Sequence, residues 1–281
     1  MKLVMFTKTL KDKDTAGLLE TAKKHRLDGF DLCVREGYAA NPKNAETALP
    51  QLVKALAAEG IAVPMVTGPG DMVWPNHPDA EGILAAMSAA GVPLLKLGYI
   101  HWEPHSDYWQ RVDEIRRAFS KWEKLGEKHG VRIAYHTHSC HGNVYYMGLN
   151  CAALMHLLKD FNPQRIGAYI DAGHLAVDGE PFGFGLSMVR NWLAAVALKD
   201  VLHHREDAGD EGRRGQHWVP AGEGMVAWSK VFAELHGIGF AGPLSVHCEY
   251  ESKDAADFQA KLGPEIAYFR GKLDKAAQGK Q

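Results

Sequence analysis

Short apolar runs alternate with longer amphipathic segments along nearly the whole chain. "KLVMF" precedes "TAGLLETAKKH", "DGFDLCV" precedes "ETALPQLVKALAAEG", "IAVPMVT" precedes "AEGILAAMSAAG", and "PLLKLG" precedes "YWQRVDEIRRAFSKWEKLGEKHG". The order continues with "VRIAYH" and "CAALMHLLKDF", "RIGAYID" and "GLSMVRNWL", "AAVALKD" and "WSKVFAELHGIG", then "PLSVHCE" and "ADFQAKLGPEIAYFRGKL". The short runs have the length and apolar character of buried strands, and the longer segments carry the helical period. Strands separated by helices pair in parallel through right-handed crossovers. About eight such units in about 250 residues predict an α/β protein with a closed (β/α)8 TIM barrel. A doubly wound open sheet is the runner-up, disfavoured because no GxGxxG or GxxxxGK[ST] follows the first run.

Side chains alternate between the two faces of a strand, so the apolar set that faces the helices identifies the set that faces the barrel axis. Val131, Ile133 and Tyr135 suit the helix side, which turns Ala134, His136 and His138 inward. Ile166, Ala168 and Ile170 do the same for Gly167, Tyr169 and Asp171, and Leu244, Val246 and Cys248 for Ser245, His247 and Glu249. Ala195, Ala197 and Lys199 fall inside on the seventh strand, Lys96 on the fourth and Asp31 on the second. The ionisable residues lie near the C-terminal strand ends, the barrel face that carries active sites. A single inward histidine is an ordinary core residue. Ionisable groups at six strand ends are costly to bury without function.

Composition narrows the class. The 281 residues carry a net charge of −2 and are 46% hydrophobic and 23% charged, as expected of one globular domain with a sizeable core. We read residues 1–281 as a single domain, with 275–281 as a frayed tail. No basic footprint for nucleic acid is present, because "EGRRGQHW" is balanced by "REDAGDEG". Neither a signal peptide nor a membrane span is predicted, so the default expectation is a cytoplasmic protein. Cys33, Cys140, Cys151 and Cys248 form no CxxC pair and are expected to be free thiols.

Four ordered segments resemble the sugar phosphate isomerase/epimerase family, the xylose-isomerase-like TIM barrels that include tagatose epimerase and inosose dehydratase. They are "YHTH", "IDAGHLAVDGE", "ALKD", and "VPAGEGMVAW" with "GPLSVHCEYE". Together with "LLETAKKHRLDGFDL" they extend the likeness over nearly the whole chain. The resemblance implies one divalent cation held by Glu, Asp, His and Glu from strands five to eight. Position by position, the first place falls on His136, the second on Asp171 and the fourth on His247. The third falls on Ala197, which offers no donor atom. Two readings follow. His136, Asp171 and His247, with Glu249 as a further ligand, form a rearranged site for Mn²⁺, Fe²⁺, Co²⁺ or Zn²⁺; alternatively the metal is lost, and Lys199 with the histidines supplies the positive charge.

The resemblance also assigns His174 to substrate contact, while the bland reading makes it a capping residue in the loop after strand six. Lys96 joins it as a substrate-binding candidate, and Glu223 in "GEG" either binds substrate or orders its loop. Trp74, Trp102 and Trp218 are expected in loops after strands three, four and seven, where they either stack on a sugar or cover the core. Arg213, Arg214 and His217 lie in "LHHREDAGDEGRRGQHW", read as a mobile lid over the pocket or a solvated polar excursion. Cys140, His141 and Asn143 read as turn material at the rim.

His136, His138, Asp171, Lys199 and Glu249 are the candidate catalytic groups. Removing a proton next to a carbonyl forms an enediolate, whose charge cations stabilise, and a histidine, carboxylate or lysine tuned toward neutrality moves the proton. The first expectation is a carbohydrate isomerase or epimerase acting on a small-molecule substrate. The second is a dehydratase or lyase on a keto-sugar or inosose, and the third a non-catalytic sugar-binding barrel. The apurinic endonuclease relatives are disfavoured by the charge balance. Pairing of copies into a homo-oligomer through the barrel surface is compatible with the resemblance.

Overall fold

The computed structural model describes residues 1–140 and 144–279. In chain order its elements are β1 (Lys2–Phe6), α1 (Thr15–His25), β2 (Gly29–Cys33), α2 (Ala45–Ala58), β3 (Ala62–Thr67), α3 (Ala80–Ala90), β4 (Leu94–Lys96), β5 (His101–Trp102), α4 (Tyr108–His129) and β6 (Arg132–His136). There follow β7 (Tyr145–Tyr146), α5 (Cys151–Leu158), β8 (Ile166–Asp171), α6 (Ala172–Asp178), α7 (Phe182–Val189), β9 (Leu193–Leu198), β10 (Asp200–Ala208), β11 (Glu211–Val219), α8 (Trp228–Gly237), β12 (Pro243–Val246) and α9 (Ala255–Ala277). The eight predicted strands are β1, β2, β3, β4, β6, β8, β9 and β12. They close into a parallel barrel in which β1 bonds both β2 and β12.

The predicted alternation separates the core into two layers. Met65, Leu94, Ala134, Tyr169, Ala195 and Ala197 cluster inside the barrel. Ile133, Tyr135, Ile166, Ile170, Val196, Leu198, Leu244 and Val246 join the larger cluster against the helices. The helices start where the sequence supplies an acceptor for a free amide: Asp14, Asp107, Asn150 and Asp254 each cap the residue three positions on. Left-handed Gly91, Gly130 and Gly179 end α3, α4 and α6.

Two stretches differ from the expectation. "AGHLAVD" is helix α6 rather than a loop, because the Asp171 side chain caps it by accepting from the amide of His174. The polar segment after β9 is a regular antiparallel ribbon, with Asp200 opposite Val219 and Ala208 opposite Glu211. Helix α9 runs to Ala277.

The base of the ribbon is held by Asp200. Its buried carboxylate accepts from the amides of Gly222 and Val226 at 2.9 and 3.0 Å and from the Trp228 indole at 2.8 Å. The chain approaches so closely that a Cβ at Gly224 would lie 2.1 Å from Asp200 Oδ1. The four cysteines are free. Among the described residues, no helix is long and apolar enough to cross a membrane.

Candidate active site

The C-terminal ends of the strands bring together most of the residues selected from the sequence. Lys96 ends β4, His136 ends β6 and Asp171 ends β8, while Lys199 directly follows β9 and His247 directly follows β12. All five are buried. His138, His174 and Glu249 complete the group from the stretch after β6, the first turn of α6 and the stretch after β12.

Asp171 divides its two oxygens. Oδ1 accepts from the His174 amide at 3.0 Å, and the Asp171 amide donates to Thr137 Oγ1 at 2.9 Å. Around Oδ2 lie His136 Nε2 at 3.7 Å, His247 Nδ1 at 3.8 Å, His174 Nε2 at 3.9 Å and Lys199 Nζ at 3.6 Å. Among the described residues, no hydrogen-bond partner reaches Oδ2 or any of those three imidazole nitrogens, and all four atoms are buried. A buried polar atom without a partner costs about 1–3 kcal/mol, so four at one point need a common explanation. The ligating atoms of His136, Asp171 and His247 all lie within 4.8 Å of one another, close enough to surround one ion. Two imidazoles and a carboxylate suit Mn²⁺, Fe²⁺, Co²⁺ or Zn²⁺.

The orientation of His247 points the same way. Asp31 accepts from Thr67 Oγ1 at 2.6 Å, Ser245 Oγ at 2.9 Å and the Tyr169 hydroxyl at 3.2 Å. With its proton committed to Asp31, the Tyr169 oxygen accepts from His247 Nε2, 2.9 Å away. That fixes the tautomer and leaves Nδ1 bare between Asp171 Oδ2 at 3.8 Å and Glu249 Oε2 at 3.6 Å, the outer support that metal-bound histidines commonly have. Ala197 is buried beside Asp171 in the barrel register and contributes no donor. Two residues on, Lys199 reaches toward the same carboxylate.

The charges are strongly tuned. Burial would lower the Lys199 pKa, but the Asp171 and Glu249 carboxylates outweigh it and keep the ammonium charged. Glu249 lies 2.9 Å from Lys199 Nζ and is also paired with Lys8. Against the upward pull of burial, Lys199 with His247 and Lys8 holds Glu249 well below the usual carboxylate range. Burial drives His136 and His174 well below the imidazole range and raises Asp171. Burial, helped by Lys199, takes His138 to about 3. The His138 Nδ1 lies 2.9 Å from the Ser139 carbonyl, so that nitrogen carries the proton of the neutral ring.

Lys96 differs from Lys199. Burial and the neighbouring Arg35 bring it down to about 7. Its Nζ sits 4.4 Å from the centre of the Tyr99 ring, and among the described residues no carboxylate is within ion-pair distance. Since β4 and β12 are diametrically opposed in the barrel, Lys96 faces Glu249 across the site.

The remaining sequence candidates divide between the edge of the site, the ribbon and the outside of the barrel. Trp218 is on β11 rather than in a loop, with its ring 4.0 Å from Lys199 Nζ and 5.0 Å from His174. Trp102 pairs with Tyr145 in the short β5–β7 ladder and packs on the core, while Tyr146 of that ladder faces His138. Trp74 lies outside the barrel under Arg111. His217 is on the ribbon face opposite Trp218, stacked 4.3 Å from His204. Arg213 pairs with Glu206 on that same face, whereas Arg214 approaches Asp178 at the rim. Glu223 is exposed in the turn whose amides Asp200 holds. Cys140 is half-buried; His141 and Asn143 lie outside the described residues. Sequence reasoning missed Tyr99, 3.3 Å from His136 Nδ1, and Lys8, and it placed Tyr169 inward without assigning it a role.

Comparison with known proteins agrees with this architecture. The profile of the xylose isomerase-like TIM barrel family matches residues 19–270. An inosose dehydratase from Bacillus cereus (strain AH820) is 27% identical over 180 residues, covering 61% of this chain and 56% of the relative. The chain thus spans little more than half the length of that curated relative. A 3-keto-D-glucoside 4-epimerase from E. coli superposes with a TM-score of 0.72 at 15% identity, over 96% of this chain and 99% of the other. An L-ribulose 3-epimerase gives 0.73 at 14%, over 99% and 96%. At these identities the two structures establish the fold alone.

Proposed function

Because the chain belongs to the xylose isomerase-like TIM barrel family, we propose that it removes a proton next to the carbonyl of a polyhydroxylated ketone and expels an oxygen from the neighbouring carbon, as a dehydratase or lyase. His136, Asp171 and His247 would hold a divalent ion, whose charge would polarise the carbonyl and stabilise the enediolate. Lys96, at a strand end and tuned near neutrality, takes the carbon-bound proton as its neutral amine. Lys199, kept charged by Asp171 and Glu249, gives a proton to the departing oxygen. Neutral His138 and His174 accept or donate hydrogen bonds to hydroxyls of the bound ring without adding charge.

The inequality of Lys96 and Glu249 carries this reading. An epimerase that inverts a carbon by direct proton return needs groups on both sides, each able to act as base in one direction. On one side stands an amine near neutrality; on the other, a carboxylate held between two ammonium groups is a poor base. Unequal partners suit elimination, where one group accepts a proton and the other supplies one. The 27% identity to an inosose dehydratase supports the same choice. Epimerisation or isomerisation is the second reading, favoured by the folds of the epimerase structures.

The test is to incubate the metal-supplemented enzyme with inosose and a panel of keto-sugars in D₂O and follow products by NMR. Release of water or an alcohol with formation of an enone is the expected result. A deuterated isomeric ketose would replace elimination with epimerisation, and binding without exchange at carbon would make the protein a sugar-binding barrel.

A further inference from the structure

Two lines of side chains leave the catalytic centre and meet again at the rim. On β11, Trp218, Gln216 and Arg214 occupy alternate positions and share one face, spanning about 13 Å. On α6, His174 and Asp178 are four residues apart on one helix face, about 6 Å along its axis. At the inner end the Trp218 ring lies 5.0 Å from the His174 ring and 4.0 Å from Lys199 Nζ. The two backbones come so close there that a Cβ on Gly173 would meet the Trp218 ring at 2.9 Å. At the outer end Arg214 Nη2 is 3.9 Å from Asp178 Oδ1, too long for a hydrogen bond. His203 lies opposite Gln216 in the ribbon register and shares its face. Asp178 Oδ2 and His203 Nε2 are buried and, among the described residues, have no hydrogen-bond partner.

We propose that this strip between α6 and the ribbon is a distal binding site for a second polyhydroxylated ring, so that the substrate is a keto-glycoside rather than a single ring. The proposal rests on the elimination reading above and specifies its leaving group. One ring held at Asp171 contacts Trp218 but leaves Gln216, Arg214 and Asp178 unused. An indole ring followed by an amide, a guanidinium, an imidazole and a buried, unpartnered carboxylate oxygen matches a ring with an apolar face and vicinal hydroxyls that both donate and accept. A phosphate fits less well, because it would meet the Asp178 carboxylate together with Arg214.

The position is chemically consistent. The second ring lies on the Lys199 side, so the glycosidic oxygen is beside the ammonium. The C–H pair becomes the new C=C bond as the proton passes to Lys96, the C–O pair leaves with oxygen, and that oxygen takes the Lys199 proton. The products are an enone and a free alcohol, with no oxidant or reductant consumed.

The test is titration calorimetry with keto derivatives of methyl glucoside and of cellobiose, oxidised at the same carbon of the ring that carries the leaving oxygen. The cellobiose derivative is expected to bind at least about tenfold more tightly, and Arg214→Ala, Asp178→Asn and Gln216→Ala should each remove much of that ratio. Thermal melting of each variant identifies any that fails to fold, and the exposed Arg214 position keeps the test open if Asp178→Asn does not. Binding of both ligands with equal affinity would overturn the distal site and leave elimination standing. A ratio untouched by the folded variants would also overturn it. If neither derivative binds, the carbohydrate reading itself falls and the distal site with it.

Discussion

Lys199 Nζ and Asp171 Oδ2 lie 3.6 Å apart, and three bare imidazole nitrogens face the same oxygen. The carboxylate is therefore the negative pole of the site, while its other oxygen caps α6. Asp171→Asn removes the charge and retains an oxygen for the cap, where Asn and Asp are about equally good. Turnover is expected to fall by about 10²–10⁴-fold, with the melting temperature little changed. A fully active variant would remove Asp171 from the chemistry.

The convergence on His247 predicts metal loss. In His247→Ala, elemental analysis of protein purified without a tag or chelator should show less than one equivalent of transition metal where the parent shows one. Tyr169→Phe tests the support behind it, because the variant no longer fixes the His247 tautomer; affinity is expected to fall by about 10–100-fold. Metal content unchanged in His247→Ala would reject that ligand.

Lys96 sets a pH dependence. Only its neutral amine accepts a proton, so kcat/KM should rise with pH through about 7 and then level off. In Lys96→Met that limb should disappear and the rate should fall by about 10²–10⁴-fold. An unchanged limb would assign the titration to another group.

Glu265 on α9 gives a stability prediction independent of catalysis. Among the described residues neither of its buried oxygens has a hydrogen-bond partner, and burial raises its pKa from 4.5 to about 7. Between those values the folded protein keeps a proton that the unfolded chain has released, so stability declines as pH rises across the window. Glu265→Gln removes this slope. Melting curves at about pH 5 and about pH 8 should converge in the variant relative to the parent; equal pH responses would show that Glu265 does not titrate there.

The barrel was legible because a two-residue period with one apolar face leaves little freedom in register. The inward positions of His136, Asp171, Lys199 and His247 followed from Ile133, Ile170, Leu198 and Val246 facing the helices. The ribbon was illegible for the converse reason: "HHREDAGDEGRRGQHW" is polar on both faces, and its order comes from pairing across the turn at Gly209. Helix α6 was obscured by the glycine in "DAGH", since its start depends on the Asp171 cap. Tyr99 lies beyond the end of β4, where strand alternation no longer predicts direction, and Lys8 reaches Glu249 from a part of the chain 241 residues away.

Asp200 gathers the start of the ribbon and the turn that follows it into one clamp, immediately after Lys199. The intervening hairpin is consequently a stem closed at its root, whose length the barrel barely senses, since lengthening a surface connection costs little free energy. Reach and reactivity thereby become separable traits. A hairpin two residues shorter or longer on each strand would change how far the ribbon extends past the rim, while the Lys199 ammonium stayed beside Asp171 and Glu249.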